Sequence, residues 1–202
     1  MGDMSELPFS MPLGKALGGR RSVRNFKPDV LTRGQVRSLL LAAVHAPTAV
    51  HQEPWAFVVV QDKAQLRRIS DLAKPLHALQ MQRLHVERHR HGPDPFADPA
   101  FNIFYNAGTL ILVCGLADAP FLAADCWLAA ENIVLAAYAA GLGSCVIGSA
   151  AAALNLEEMR RELEIPASLT VLAPIIVGVP ADDAGPTARK EPRILHWSHD
   201  LV

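Results

Sequence analysis

The chain has 202 residues, half of them hydrophobic, and its 19 basic and 20 acidic side chains leave a net charge of −1. That composition supports a sizeable core and argues against disorder, and against nucleic acid or an anionic membrane as the main partner. Three cysteines without CxxC spacing, Cys114, Cys126 and Cys145, read as reduced, buried thiols of a cytoplasmic protein.

No composition shift divides residues 1–202, which read as a single domain. The first residues, MGDMSELPF, lack a basic region followed by an apolar run, and Glu6 stands where a myristoylation signal wants Ser or Thr. Leu13 to Gly19 reads as a short helix ending at Gly18-Gly19, which delivers the chain into Arg20–Phe26, RRSVRNF. Arg20, Arg21, Ser22 and Arg24 put three guanidinium forks and a hydroxyl within five residues. Guanidiniums match a phosphate in geometry and charge. A solvated basic turn accounts for the same residues, and both readings stay open.

Thr32 opens a helix, with Gln35 completing a capping box. Val36, Leu39, Leu40, Ala43 and Val44 form its apolar face, and Pro47 marks its end. After a loop, Trp55–Val60 (WAFVVV) reads as a buried strand. Lys63–Leu72 and Leu76–His91 read as two helices, and a loop with Pro93, Pro95 and Pro99 follows. Thr109–Cys114 is a second strand. Asp125–Ala140 is a helix apolar nearly all round, fit for a core or for a subunit interface. The uncharged run from Ile133 to Leu154 has membrane-spanning length, but Gly141, Gly143 and Gly148 interrupt it, so a buried helix followed by a glycine turn explains it better. Asn155 and Glu158 suggest a capped helix to Leu163. Thr170–Val179 is a third strand, where Pro174 suggests an edge or a bulge. From Pro180 onward Gly, Pro and charge dominate.

His77, His85, His89 and His91 invite a metal reading, but HVERH is not HExxH, and Arg83, Arg88 and Arg90 would repel a cation. Gly141-Leu142-Gly143 lacks the GxGxxG spacing and follows a helix rather than a strand. No nucleophile elbow or Walker loop occurs, so an enzyme of this sequence would leave its chemistry to a cofactor.

The order of five segments resembles the FMN-dependent nitroreductase family. They are RRSVRNF at Arg20–Phe26, APTAVHQEPWAFVVV at Ala46–Val60, ENIVLAAYAAGLGSCVIG at Glu131–Gly148, LTVLAPIIVGVP at Leu169–Pro180, and Arg189-Lys190 near Pro192. The resemblance implies an α+β fold, a central mainly antiparallel sheet wrapped by helices, in an intertwined homodimer with FMN at the subunit interface. Residues 180–202 would be an arm lying across the partner, and residues 75–99 a lid over the acceptor.

By the same resemblance Arg20, Arg21, Ser22 and Arg24 would hold the FMN phosphate and the ribityl chain or pyrimidine edge, and Arg189 and Lys190 would add cations to the phosphate. Val146-Ile147-Gly148 would pass the ring near N5, Ile147 and Gly148 flanking it. The loop Pro47 to Trp55 would meet FMN from the other subunit. Thr48 keeps the family hydroxyl, but His51 replaces the usual Asn and Glu53 the usual Gln. An amide both donates and accepts, whereas an ionised Glu53 only accepts. Near the ring's N1 and O2 edge it would raise the cost of an anionic reduced flavin; pairing with His51 or an arginine is the favoured expectation, since it avoids an unpaired buried carboxylate. The implied reaction is a ping-pong transfer of hydride from NADH or NADPH through flavin N5 to a nitroaromatic or quinone, with no side chain as obligatory acid or base. Flavin fragmentation, reductive dehalogenation or FMN binding without catalysis are the other outcomes the resemblance allows.

Overall fold

The computed structural model describes residues 7–83, 94–183, 185 and 187–198. Its centre is a four-stranded sheet built from β1 (Trp55–Val60), β2 (Thr109–Leu116), β3 (Gly143–Val146) and β4 (Leu169–Gly178). The spatial order is β1-β2-β4-β3, and every neighbouring pair is antiparallel. β2 and β4 form the buried middle, with an unbroken run of buried residues from Thr109 to Gly115. β1 is an edge strand on which only Val60 is fully buried, which corrects the expectation of a buried strand. Aromatic and β-branched residues suit a half-covered edge as well as an interior strand, so composition alone did not separate the two.

Helices cover both faces. One face carries α2 (Arg33–Val44) and α4 (Leu122–Ala139), whose Val36, Leu39, Ala129, Ile133 and Ala137 pack with Ile111, Val113, Ala173, Ile175 and Val177 of the sheet. The other carries α3 (Lys63–Arg83) and α5 (Ala151–Leu154), whose Ile69, Ala73, Ala153 and Leu154 meet Leu110, Leu112, Cys114, Val171 and Ile176. The switch of face between Val171 and Ala173 comes from a bulge: Val113 pairs with Ala173 but Cys114 pairs with Val171, leaving Leu172 as the extra residue.

The capping box of α2 forms as its sequence implies. Thr32 Oγ1 accepts from Gln35 N at 3.2 Å, and Gln35 Oε1 accepts from Thr32 N at 2.9 Å. α1 (Leu13–Gly19) has the expected bounds. α4 ends in a Schellman turn: Gly141 adopts φ +74°, Leu142 N–H reaches the Ala137 carbonyl at 2.8 Å, and Gly141 N–H the Tyr138 carbonyl at 3.0 Å. The chain leaving that turn is β3, a strand hidden from sequence reading by its glycine and its four-residue length.

Three further expectations are corrected. The two helices split at Pro75 are one, α3, running through the proline. Lys74 offsets the lost helix bond by donating to the Asp71 carboxylate at 2.9 Å and to the carbonyls of Pro99 and Phe101 at 3.0 Å each. Asn155 caps no helix: α6 (Glu157–Glu162) begins after Leu156 without a side-chain cap. The Asn155 amide instead donates to the Val171 carbonyl and accepts from Val171 N–H, both at 3.0 Å, bracing the strand beside the bulge. Pro174 sits in a central strand, not an edge, and the bulge that was the other expectation lies two residues before it, at Leu172. Pro174 marks where pairing with β3 stops, its carbonyl taking the Ile147 N–H at 2.8 Å.

α4 has the length and apolar character to cross a membrane, yet it lies against α2 and the sheet as a core helix. It is not packed all round, since Trp127 and Leu128 are 45% and 44% exposed. His85, His89 and His91, with residues 84–93 of the 75–99 excursion, lie outside the described residues. Within that excursion, α3 continues to Arg83 and His77 stacks on Phe96 with ring centroids 4.7 Å apart.

Candidate functional site: an arginine-lined border of the sheet

The segment after α1 runs beside β3 as a short parallel annex to the sheet. Ser22 bridges Ser144, and Val23 N–H donates to the Ser144 carbonyl at 2.9 Å. Gly143 makes that approach possible, because a Cβ there would strike Val23. Farther on, Phe26 bridges Pro180 and Lys27 N–H donates to Val179. The arginine segment, the end of β3 at Val146-Ile147-Gly148 and the start of the C-terminal arm therefore share one border of the sheet.

Each predicted residue has a distinct place on that border. Arg20 points back to α4, with Nε 3.4 Å from Glu131 Oε1. Arg21 donates from Nη1 to the Gly185 carbonyl on the arm and lines a cleft of about 440 Å³ with Lys15, Tyr138, Asp182 and Asp183. Ser22 and Arg24 are exposed and lie beside the Cys145 thiol. Burial raises that thiol's pKa, while the Arg24 charge and the Ser22 hydroxyl act against the rise. Ile147 is buried, whereas Gly148 is exposed and its would-be Cβ meets nothing within 4 Å, so open space fronts the backbone there. Arg189 and Lys190 are exposed on the arm. Among the described residues no hydrogen bond or ion pair joins them to the Arg20–Arg24 segment.

The border is chemically suited to an anion. Nε of both Arg20 and Arg21 is buried without a hydrogen-bond acceptor among the described residues. Arg20 Nε faces the Glu131 carboxylate at ion-pair distance without a formed hydrogen bond, so Arg21 Nε is the donor left without a partner, and the exposed Ser22 and Arg24 beside it carry further donors suited to an oxyanion.

Pro47, Thr48, His51 and Glu53 stand elsewhere, on the loop between α2 and β1. That loop is strained: Val50, His51 and Glu53 adopt φ of 48°, 55° and 45°. Left-handed backbone at non-glycine residues costs on the order of 1 kcal/mol or more at each, and such outliers gather at functional sites. Both stems are pinned, by Leu116 N–H on the Pro54 carbonyl at 3.0 Å and by Ala49 N–H on Asp125 Oδ1 at 3.1 Å. Glu53 and His51 are exposed and, among the described residues, form no ion pair with each other or with an arginine. Glu53 is solvated in the single chain, so the burial cost that called for a partner does not arise.

Sequence reading missed Asp125 and Glu131, the two acidic side chains of α4. Their signal was present: each interrupts an otherwise apolar helix, and a charge retained on such a helix needs a partner. Among the described residues no group of His, Cys, Asp and Glu could hold a metal ion.

Fold and border together define an α+β protein with a helix-wrapped antiparallel sheet and an arginine-lined border at one side. The chain matches the description of the Nitroreductase family over residues 17–179, and it belongs to that family. It is 26% identical over 195 residues to the FMN reductase (NAD(P)H) of Bacillus subtilis (strain 168), covering 89% of this chain and 69% of that protein. It is 27% identical over 179 residues to the iodotyrosine deiodinase of Thermotoga neapolitana, covering 85% of this chain and 90% of the relative. A nitroreductase with bound FMN from Desulfitobacterium hafniense DCB-2 shares the fold, with a TM-score of 0.77 at 19% identity over 94% of this chain and 100% of that one.

Proposed function

We propose that this protein is a cytoplasmic, homodimeric FMN-dependent oxidoreductase that passes hydride from NADH or NADPH to an electron-poor acceptor such as a nitroaromatic or a quinone. The observation that carries the reading is the bridge between Ser22 and Ser144, which sets the arginine segment beside the Ile147-Gly148 turn. FMN, when bound, supplies the two-electron redox chemistry. The chain's own residues bind and orient it. Arg20, Ser22 and Arg24 offer donors to its phosphate and polar edge, and Arg189 and Lys190 add charge from the arm. Arg21 is committed in part to Gly185, so it fixes the arm's departure while adding to the positive field. Gly148 leaves space for a planar ring against the backbone and can offer a main-chain N–H.

The homodimer is supported by what the single chain leaves uncovered. Phe121, Trp127 and Leu128 on or next to α4, and Ile194, Leu195 and Trp197 on the arm, are exposed, Leu195 at 82%. A groove of about 630 Å³ between α2 and the open edge of β1 is lined by Val36, Leu40, Val44, Phe57 and Val59, a fitting bed for a partner's arm. Residues 1–202 then act as one domain, with 180–202 as the arm and 75–99 as the lid. Pairing of two copies brings Pro47, Thr48, His51 and Glu53 to the partner's cofactor.

The relatedness to an iodotyrosine deiodinase along 90% of that protein's length favours one second reading, reductive dehalogenation. Protein purified without added cofactor should carry flavin colour, and it should turn over NADH or NADPH with nitroaromatics or quinones. Arg24→Ala combined with Arg189→Ala should lose most of the flavin. Unchanged flavin content in that double variant sinks the arginine assignment, and turnover confined to halogenated phenols selects the second reading.

A further inference from the structure

Asp125 carries the only buried carboxylate among the described residues, 3% exposed in the first turn of α4. Its Oδ1 accepts the Ala49 N–H at 3.1 Å, and Ala49 immediately precedes the left-handed pair Val50 and His51. Packing alone would be served by an uncharged residue, since ionised groups pay heavily for leaving water. What the charge adds is a strong acceptor for one backbone N–H, at a helix start where negative charge is favoured. Gln52 N–H returns to the Ala49 carbonyl at 3.2 Å, so Ala49 is the fixed point about which the exposed turn is wound.

We infer that Asp125 is a positioning residue, holding Ala49 so that the strained turn presents Thr48, His51 and Glu53 at a fixed height above the fold. This rests on the FMN reading, under which that turn reaches the partner subunit's cofactor. The same helix holds Arg20 through Glu131, six residues further along. α4 thereby sets the separation between what a subunit offers its own cofactor and what it offers its partner's.

Asp125→Ala and Asp125→Asn test it by two measurements. One is amide hydrogen exchange at Ala49 in flavin-free protein; the other is the FMN dissociation constant by titration. With Ala, Ala49 exchange should quicken and FMN binding weaken, each by about tenfold or more, whereas Asn, whose oxygen can take the same N–H, should stay within about threefold on both. Unchanged Ala49 exchange in the Ala variant overturns the inference. So does unchanged FMN affinity, or an equal loss in both variants at equal thermal stability. Wild-type protein that takes up no FMN overturns the reading of the site itself, a failure that Ala49 exchange distinguishes from loss of Asp125's hold on the loop.

Discussion

Glu131 Oε1 stands 3.4 Å from Arg20 Nε, so the first arginine of the border carries its own counter-ion, supplied by α4. The pair is half open to water, which makes its contribution to stability small, below about 1 kcal/mol. Its larger effect is on the field felt by an incoming dianion. Glu131→Gln should leave the melting temperature nearly unchanged and tighten FMN binding by roughly two- to fivefold at low ionic strength. Titrations repeated in high salt should erase the difference.

Three glycines separate folding from binding. A Cβ at Gly108 would strike the Asp29 backbone carbonyl, and one at Gly115 would strike the side chains of Leu122 and Cys126, while one at Gly148 would meet only open space. Gly108→Ala should cost about 3 kcal/mol, since main chain cannot rotate away, and Gly115→Ala about 1–2 kcal/mol. Gly148→Ala should unfold within about 0.5 kcal/mol of wild type yet weaken FMN about tenfold, as the added methyl occupies ring space. Urea unfolding and FMN titration on the same three variants check the split.

Burial pushes the Cys114 thiol up to about 12 and the Cys126 thiol up to about 11, the latter with help from the Asp125 charge. Both stay protonated in the folded chain at pH values where an unfolded thiol ionises. Their contribution is complete below the unfolded thiol's pKa and is lost as pH rises toward 11 and 12. Between about pH 8 and pH 10 the unfolding free energy should fall by about 1–2 kcal/mol per thiol. A Cys114→Ala variant should show a shallower decline in urea titrations across that range. Native-state alkylation of either thiol should be slow throughout.

Deleting residues 187–202 removes Arg189, Lys190, Ile194, Leu195 and Trp197 but none of the buried core. The shortened chain should keep its far-ultraviolet circular dichroism, run as a monomer on size exclusion, and hold little flavin. A dimer of full flavin content would show that the arm serves neither role.

Most of the helices and three of the four strands were legible because their signals are local. Thr32 and Gln35 write a capping box, Gly141 writes a helix stop, and Trp55–Val60 writes a strand with its true bounds. What escaped depends on partners distant in sequence. Asn155 has a cap's chemistry but spends it on Val171, sixteen positions away. Pro75 has a breaker's chemistry but is outvoted by Lys74 and the carbonyls of Pro99 and Phe101. The arginine border was half legible: RRSVRNF left an anion site and a solvated turn both open, and nothing local says that Arg20 would turn to Glu131 and Arg21 to Gly185.

Leu172 reaches further than its single position suggests. It resets the alternation of β4, so that Val171 faces the α3 side while Ala173, Ile175 and Val177 face α4. Removing that one residue would close the bulge and leave Val171 next to Ala173 in ordinary alternation, each still facing its own core and its own β2 partner, whereas losing a residue anywhere between Ala173 and Val177 would turn the side chains beyond it to the wrong face. Position 172 is therefore the point in the interior of β4 where the chain can shorten by one residue without mixing the two cores.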